Sequence, residues 1–322
     1  MILVTGATGF LGSEVAKQLV KQGNHIRCTK RSTSKTPTLL TALYEHIEWV
    51  EADLLDIFAL ENALDGITQV YNCAAWVSLK QADKEPMINT NVTGTGNLVN
   101  LCQQNNIRLV HVSSVAAVGE AKPGELINEK HHLDQATEHD GYAISKLESE
   151  MEVWRGIAEG LNAVIVNPSI IIGANAGTEG SGALFETVRK GLKFYTSGSM
   201  GFVDAEDVAK CMIDLMNSDI HSKRFIISAE NRDYKQLTGE IAQCFGINPP
   251  ATLAKPWVME LAWRGAALAA FITRNAPAID KVSAKAASLA RDFDNGKIKK
   301  AIGIEFKPLS VSIKEVCAAL AK

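Results

Sequence analysis

Tyr142 and Lys146 stand four positions apart in Tyr142-Ala143-Ile144-Ser145-Lys146, a spacing that puts both side chains on one face of a helix, one turn apart. A free phenol ionises near pH 10 and exchanges protons poorly at neutral pH. An ammonium held beside it stabilises the phenolate and lowers that value, and the positive end of a helix dipole pushes the same way. The turn Asp140-Gly141 marks the expected helix start. Upstream, Ser113-Ser114 closes a β-branched run; Ser114 can hold a substrate oxygen in line with the phenol, or simply satisfy a loop backbone. Asn91, in Asn89-Thr90-Asn91-Val92-Thr93-Gly94-Thr95, is expected on the preceding helix. There it either supports Lys146 through backbone or water contacts or makes an interhelical hydrogen bond. Such a set is suited to moving a proton to or from an oxygen.

The first residues hold a second feature. Thr5-Gly6-Ala7-Thr8-Gly9-Phe10-Leu11-Gly12 follows the run Ile2 to Val4 and opens an apolar stripe Leu11, Val15, Leu19, Val20 at helical spacing. The glycine spacing G-x-x-G-x-x-G differs from G-x-G-x-x-G but keeps its physical logic. Gly6 permits the tight turn, Gly9 lets backbone approach a pyrophosphate, and Gly12 allows close packing of helix on strand. The pyrophosphate would rest on free N–H groups at a helix N-terminus. After the second run, where an acidic residue commonly receives the ribose hydroxyls of NAD, this chain has Lys30-Arg31-Ser32-Thr33. A guanidinium there can pair with a 2′-phosphate, so NADP(H) is the expected cofactor and NAD(H) the alternative. A solvated basic loop is the plainer reading of these charges. Asp53-Leu54, after the third run, suits an adenine contact as well as it suits an ordinary turn.

These residues need a scaffold, and the chain writes one. Up to about residue 170, short β-branched runs at Ile2 to Val4, His25 to Thr29, Ile47 to Glu51, Gln69 to Cys73, Ile107 to Val112 and Ala163 to Val166 alternate with helical periodicity. That is the pattern of an α/β, Rossmann-type doubly wound parallel sheet. A smaller, mostly helical C-terminal lobe is expected to bind substrate. The division reads 1–170 for the dinucleotide-binding domain, joined by about 202–228, with 171–201 and 229–322 as the substrate lobe. The loop Gly173 to Gly182, rich in small residues, belongs to that lobe. A ligand cleft is expected between the lobes at the carboxyl ends of the strands.

Bulk properties exclude several partners. The 322 residues carry a net charge of -3 with both signs mixed along the chain, so the basic field needed for nucleic acid is missing. Six cysteines are scattered without C-x-x-C spacing and read as buried thiols in a reducing cytosol. Met1 to Thr5 reads directly as a strand, which leaves no room for a leader, and the protein is expected to be cytoplasmic. Trp257 to Ile272 is interrupted by Glu260 and Arg264 and is too short to span a bilayer. His131, His132 and His139 lack a regular ligand spacing, so no metal is expected.

Several motifs together, in order and spacing, resemble the extended short-chain dehydrogenase/reductases. They are TGATGFLG at 5–12, Asn72-Cys73-Ala74-Ala75, Asn91-Val92 with Gly94-Thr95, Ser113-Ser114, Tyr142 with Lys146, Asn167-Pro168-Ser169, and Phe202-Val203-Asp204 with Asp207-Val208-Ala209. Phe293-Asp294-Asn295 with Lys297, then Ile302-Gly303 and Pro308-Leu309, is similar to the tail of the dihydroflavonol-reductase-like and 3β-hydroxysteroid-dehydrogenase-like branch. The resemblance implies Tyr142 as general acid/base, Lys146 as its modulator and ribose ligand, and Ser114 as the substrate-orienting hydroxyl, with Asn91 in support. It implies Thr5, Gly6, Gly9, Phe10, Leu11 and Gly12 on the pyrophosphate side, Arg31 on the 2′-phosphate, and Asp53 and Leu54 on the adenine. Ala74 and Ala75 would meet the cofactor's centre, and Asn167, Pro168 and Ser169 would lie against the nicotinamide. Helices 84–105 and 139–159 are expected to form a four-helix dimer interface, as in relatives, with a monomer as the alternative.

Departures from the family pattern narrow the activity. Val115-Ala116 follows Ser114 where dehydratases carry an acidic pair, Met200-Gly201 precedes the Phe202 segment where many epimerases carry a basic residue, and Gly119 stands where plant flavonoid reductases have Asn. The expected function is an NADP(H)-dependent reductase of a ketone or aldehyde. A sugar-nucleotide epimerase that keeps NAD(P) bound is second, and a non-catalytic NAD(P)-sensing protein third.

Overall fold

A computed structural model describes residues 1–78, 80–122, 124–133, 140–178, 180–255, 257–260, 263–265 and 287–321. Seven parallel strands form the central sheet: β1 (Ile2–Thr5), β2 (Ile26–Lys30), β3 (Ile47–Glu51), β4 (Gln69–Asn72), β5 (Arg108–Val112), β6 (Ala163–Pro168) and β10 (Lys223–Ile227). They lie in the order β10-β6-β5-β4-β1-β2-β3, so the chain winds outward from β1 in one direction and then returns to build the other half. The six expected runs are six of these strands. In β6 every residue is buried, as suits a strand covered on both faces and paired with β5 and β10 on either side.

Helices cover both faces. On one, α1 (Phe10–Lys21) and α6 (Ala205–Met216) pack Leu11, Val15, Leu19, Val208 and Met212 against Val4, Val110 and Val166 of the sheet. On the other, α2 (Ile57–Ala63), α3 (Lys84–Gln104) and α4 (Gly141–Ala158) bring Leu60, Leu98 and Val153 against Leu3, Val70, Leu109 and Ile165. The doubly wound Rossmann-type architecture is therefore present as expected.

A smaller layer follows β6. Strands β7 (Ile170–Ile172), β9 (Ser199–Asp204) and β11 (Glu230–Asp233) form a second sheet in the order β11-β9-β7. The helices α5 (Gly182–Arg189), α7 (Tyr234–Cys244) and α9 (Leu309–Leu320) pack around a core of Phe185, Phe202, Leu237 and Ile313. The short strands β8 (Phe194–Tyr195) and β12 (Thr252–Leu253) pair with each other, and α8 (Gly296–Ile302) precedes the final helix. Residues 202–204 thus lie in the small sheet, while β10 returns to the large one. The region after 227 is less purely helical than its sequence suggested, because Glu230–Asp233 has no alternating apolar pattern and forms a strand by pairing with β9. Cys28, Cys102, Cys211 and Cys317 are buried and Cys73 half-buried, whereas Cys244 at the end of α7 is exposed, contrary to expectation. Among the described residues no helix is long and apolar enough to cross a membrane, and most of the stretch from Trp257 to Ile272 lies outside them.

The first turn is where sequence constrains the fold most tightly. Gly6 has φ of +66°, and a Cβ there would lie 2.6 Å from the Ala74 backbone nitrogen. At Gly12 a Cβ would meet the Gly6 carbonyl oxygen at 2.2 Å. Replacing a helical glycine with alanine ordinarily adds about 1 kcal/mol of helix propensity. Here the obstacle is backbone that cannot rotate aside, and overpacking of this kind costs about 1–3 kcal/mol. Gly12→Ala should therefore lower the denaturation midpoint; a variant as stable as the parent would show that α1 can slide away from the turn.

Candidate active site

The glycine turn opens onto a groove of about 510 Å³ whose walls include Gly6 and Gly9 from the turn, Lys30, Arg31 and Ser34 beyond β2, Asp53 and Leu54 beyond β3, and Cys73 to Val77 beyond β4. It runs along the carboxyl ends of the strands, the expected place for a ligand. Gly9 is the N-cap of α1 and supplies no capping side chain, so the first-turn N–H groups of Phe10, Leu11 and Gly12 face no internal acceptor. The absent Cβ at Gly6 and this uncapped helix start form a cradle that a pyrophosphate fits.

The basic pair after β2 divides its work. Lys30 is drawn to aromatic rings: its ammonium lies 5.8 Å from the Tyr44 ring centre and 5.7 Å from that of Trp49, and those two rings stack on each other. Arg31 is exposed on the groove and makes no ion pair among the described residues. Beyond Arg31 the residue of this loop that lines the groove is Ser34, and Ser32 and Thr33 are not among the lining residues. Asp53, which lines the groove, accepts from the Leu55 amide at Oδ1 at 2.9 Å, an ordinary turn bond.

Thr5 serves the turn from below. Its hydroxyl donates to Asn72 Oδ1 at 2.6 Å and accepts from the Ala74 amide, while Asn72 Nδ2 donates to His111 Nδ1 at 3.0 Å. The strand ends of β1, β4 and β5 are thereby laced together. His111 is buried near Lys146, and burial followed by that neighbouring charge pushes its imidazole down to about 3.

Helix α4 begins at Asp140, whose carboxylate accepts from the Ala143 amide at 2.9 Å as an N-cap. Tyr142 follows in the first turn and Lys146 one turn later, as the spacing required. Lys146 is 6% exposed, and its ammonium donates to the Val112 carbonyl at 3.1 Å. Burial lowers it to about 8, against the opposing pull of Cys73 and Glu150. The Tyr142 phenol is raised, first by burial and also by the Asp140 carboxylate, while a hydrogen bond with Ser114 acts downward. The anticipated lowering by Lys146 is not among these influences; the ammonium is turned to Val112, and the helix start carries a carboxylate. A phenol in this state holds its proton at neutral pH.

Ser114 ends its strand in extended backbone and its Oγ accepts from the Ala116 amide at 3.1 Å, which leaves its own hydrogen free to point elsewhere. Asn91, 4% exposed, makes its direct hydrogen bonds elsewhere than to Lys146. Its side chain accepts from the Trp76 amide at 2.7 Å and donates to the Trp76 carbonyl at 2.8 Å, pairing with that loop as a strand would. A longer bond of 3.3 Å to Ser145 Oγ supplies the interhelical contact that was the other expectation. Asn91 thus secures the groove wall at Ala75 to Val77. Asn167 and Ser169 are buried beneath the site and, with Pro168, are not among the residues lining the groove. His131 Nδ1 is engaged with the backbone of Asn128, and His139 lies outside the described residues.

One buried residue escaped the reading of the sequence. Glu150, one turn beyond Lys146 on α4, is 1% exposed. Its Oε2 accepts from Ser113 Oγ and Asn167 Nδ2, both at 2.7 Å; its Oε1 accepts from Trp154 Nε1 and Arg224, both at 3.1 Å. The signal was its place at the next helical turn after the Tyr–Lys pair.

A model of the NAD dependent epimerase/dehydratase family matches residues 2–228. The chain belongs to that family. Over nearly its full length the family member is 28% identical to a putative dihydroflavonol 4-reductase of Synechocystis sp. (323 residues, 98% of this chain and 92% of the relative). It is 26% identical to sterol demethylase protein B of Methylococcus capsulatus, covering 94% of this chain and 92% of that one. Among solved structures, that titled gox2253 superposes with a TM-score of 0.85 at 27% identity, over 100% of this chain and 98% of the other. The UDP-glucose 4-epimerase of Thermus thermophilus, solved in complex with NAD, has a TM-score of 0.76 at 21% identity, with 99% and 98% covered, and shares the fold. Family membership and reductase-named relatives identify an NAD(P)-dependent oxidoreductase of the extended short-chain type.

Lys146 gives the site a pH signature in stability. Its folded value near 8 lies below the ordinary 10.5, so between these limits the unfolded chain binds more protons than the folded one. Stability from this group rises with pH across that window. Relative to Lys146→Met, the parent should gain stability as pH climbs from about 8 to 10.5, measured by chemical denaturation at each pH. A margin moving the other way would contradict the burial of a charged ammonium.

Proposed function

We propose that this oxidoreductase reduces a ketone or aldehyde with NADPH, Tyr142 supplying the proton. The observation that carries the reading is the convergence of a protonated, half-buried phenol, a serine hydroxyl and a buried ammonium at the carboxyl edge of the sheet, beside the groove built by the glycine turn. Bound NADPH would supply the hydride. The chain's own groups do the rest. Ser114 donates to the carbonyl oxygen and orients it, Tyr142 passes its proton to that oxygen as negative charge develops, and Lys146, whose ammonium is held by the Val112 carbonyl, would bind the cofactor ribose. A phenol raised above its ordinary value suits the direction that consumes a proton. The lobe formed by 171–201 and 229–322 would shape the substrate side.

Relatives named as reductases of cinnamoyl-CoA, tetraketide α-pyrones and anthocyanidin support a carbonyl-reducing direction. The preference for NADPH rests on Arg31, the exposed guanidinium on the groove, with Lys30 already engaged by Tyr44 and Trp49. A guanidinium meets a phosphate through charge-assisted, bidentate bonds.

Turnover should be sought as NADPH oxidation across carbonyl compounds, with UDP-sugars as the comparison. Activity on UDP-sugars alone would replace the reductase reading with epimerisation. Tyr142→Phe should lower kcat by about 10²- to 10⁴-fold, the usual contribution of a positioned general acid, with NADPH binding retained; a variant keeping a tenth of the activity would remove Tyr142 from the chemistry. Arg31→Glu should cut the preference for NADPH over NADH by about 10- to 100-fold, as loss of a charged hydrogen bond implies. An unchanged ratio of kcat/KM for the two cofactors would assign the preference elsewhere.

A further inference from the structure

Tyr142, Lys146 and Glu150 occupy successive turns of one face of α4. The first two face the reacting centre, and Glu150 faces the sheet beneath it. Its carboxylate collects four donors from four places: Ser113 beyond β5, Asn167 on β6, Arg224 on β10 and Trp154 on its own helix. The Asn167 amide nitrogen has two hydrogens. One goes to Glu150 at 2.7 Å and the other to the Ser114 carbonyl at 3.0 Å. Arg224, besides meeting Glu150, donates to the carbonyls of Glu129 at 2.9 Å and His131 at 2.6 Å. The loop between the Ser114 segment and α4 is therefore fastened to the same point.

We propose that Glu150 is a positioning residue for the reaction: with Arg224 as its counter-ion, it holds the Asn167 amide in the one orientation that fixes the Ser114 backbone, and so aims the Ser114 hydroxyl at the Tyr142 phenol. Stability alone does not account for the arrangement, because apolar residues of similar volume commonly replace a buried ion pair without loss. What apolar residues cannot do is orient an amide. Ser114 is held at its carbonyl by Asn167 and the Ala117 amide, both at 3.0 Å, and at its Oγ by the Ala116 amide, so a rotation of Asn167 frees one of three anchors, the one that ties Ser114 to the central sheet. Misplacement by about 1 Å at a reacting centre costs on the order of 100-fold in rate.

This inference rests on the carbonyl-reductase reading, and the test separates the two. NADPH-dependent reduction of 9,10-phenanthrenequinone is measured for the parent, Glu150→Gln and the double variant Glu150→Leu with Arg224→Met. The glutamine matches the carboxylate in shape, but one end of it is a donor and must face two of the four donors. The expected result is kcat reduced about 10- to 100-fold in Glu150→Gln, with KM for NADPH within about threefold of the parent. The double variant removes both charges but leaves the Ser113, Asn167 and Trp154 donors and the Glu129 and His131 carbonyls without these partners, so its denaturation midpoint should stay below the parent's and its kcat per folded molecule should stay low. The proposal is overturned by a kcat per folded molecule within about threefold of the parent in Glu150→Gln or in the double variant. It is equally overturned by KM for NADPH rising as much as kcat falls. Should Glu150→Gln fail to fold, the double variant decides on the same criteria. An inactive parent would count against the reductase reading alone. In that case crystal structures of both variants decide: a Ser114 carbonyl still bonded to Asn167 overturns the positioning role, and its release supports it.

Discussion

A carboxylate cannot be left bare inside a protein, and the burial of Glu150 is the constraint around which this site is arranged. Moving such a group out of water costs several kcal/mol even after relaxation, and the cost is met only if the charge is paired and its lone pairs are filled. Four donors converge on it, from two strands of the central sheet, a strand-end loop and its own helix. The consequence is geometric. Helix α4, which carries Tyr142 and Lys146, has a single seating against the ends of β5, β6 and β10, and the strand-end serines are brought to it in register.

The second half of the site is built by exclusion. Gly6 and Gly12 have no room for a side chain, so the β1 to α1 turn settles against Cys73 and Ala74, and Gly9 at the N-cap leaves the start of α1 uncapped. The Thr5, Asn72 and His111 chain ties the same strand ends from below, and Asn91 ties the Ala75 to Val77 wall from the side. The groove and the helix face proposed for proton chemistry thereby meet at one edge of one sheet. The former would be set by the glycines and Arg31, the latter by a phenol within reach of a serine and by a buried ammonium one turn along the helix.

Much of this was legible in the sequence where the cause is local. Parallel strands covered on both faces write apolar runs, a helix face writes i, i+4 pairs, and a glycine turn between them carries its own steric logic; the six runs, the Tyr142 and Lys146 pair and the Asp140 start of α4 all followed. Causes at long range were not legible. Nothing near Glu150 names Arg224, 74 residues away. Asn91 could not be assigned to the Trp76 backbone from spacing alone, because its target is a peptide group and leaves no mark in residue type. The upward displacement of the phenol depends on burial and on the Asp140 carboxylate, so an expectation built on its lysine partner and the helix dipole pointed the other way.

The proposed reduction of a carbonyl beside this phenol fixes where atoms must travel. With NADPH deuterated at the transferred position of C4, a carbonyl compound turned over by the protein in ordinary water should yield an alcohol bearing one deuterium on carbon, with its hydroxyl proton drawn from solvent. Mass spectrometry of the product reads this directly. Product without the label on carbon, or label that stays with the nicotinamide while a sugar nucleotide changes configuration, would contradict net hydride transfer to a carbonyl at this site.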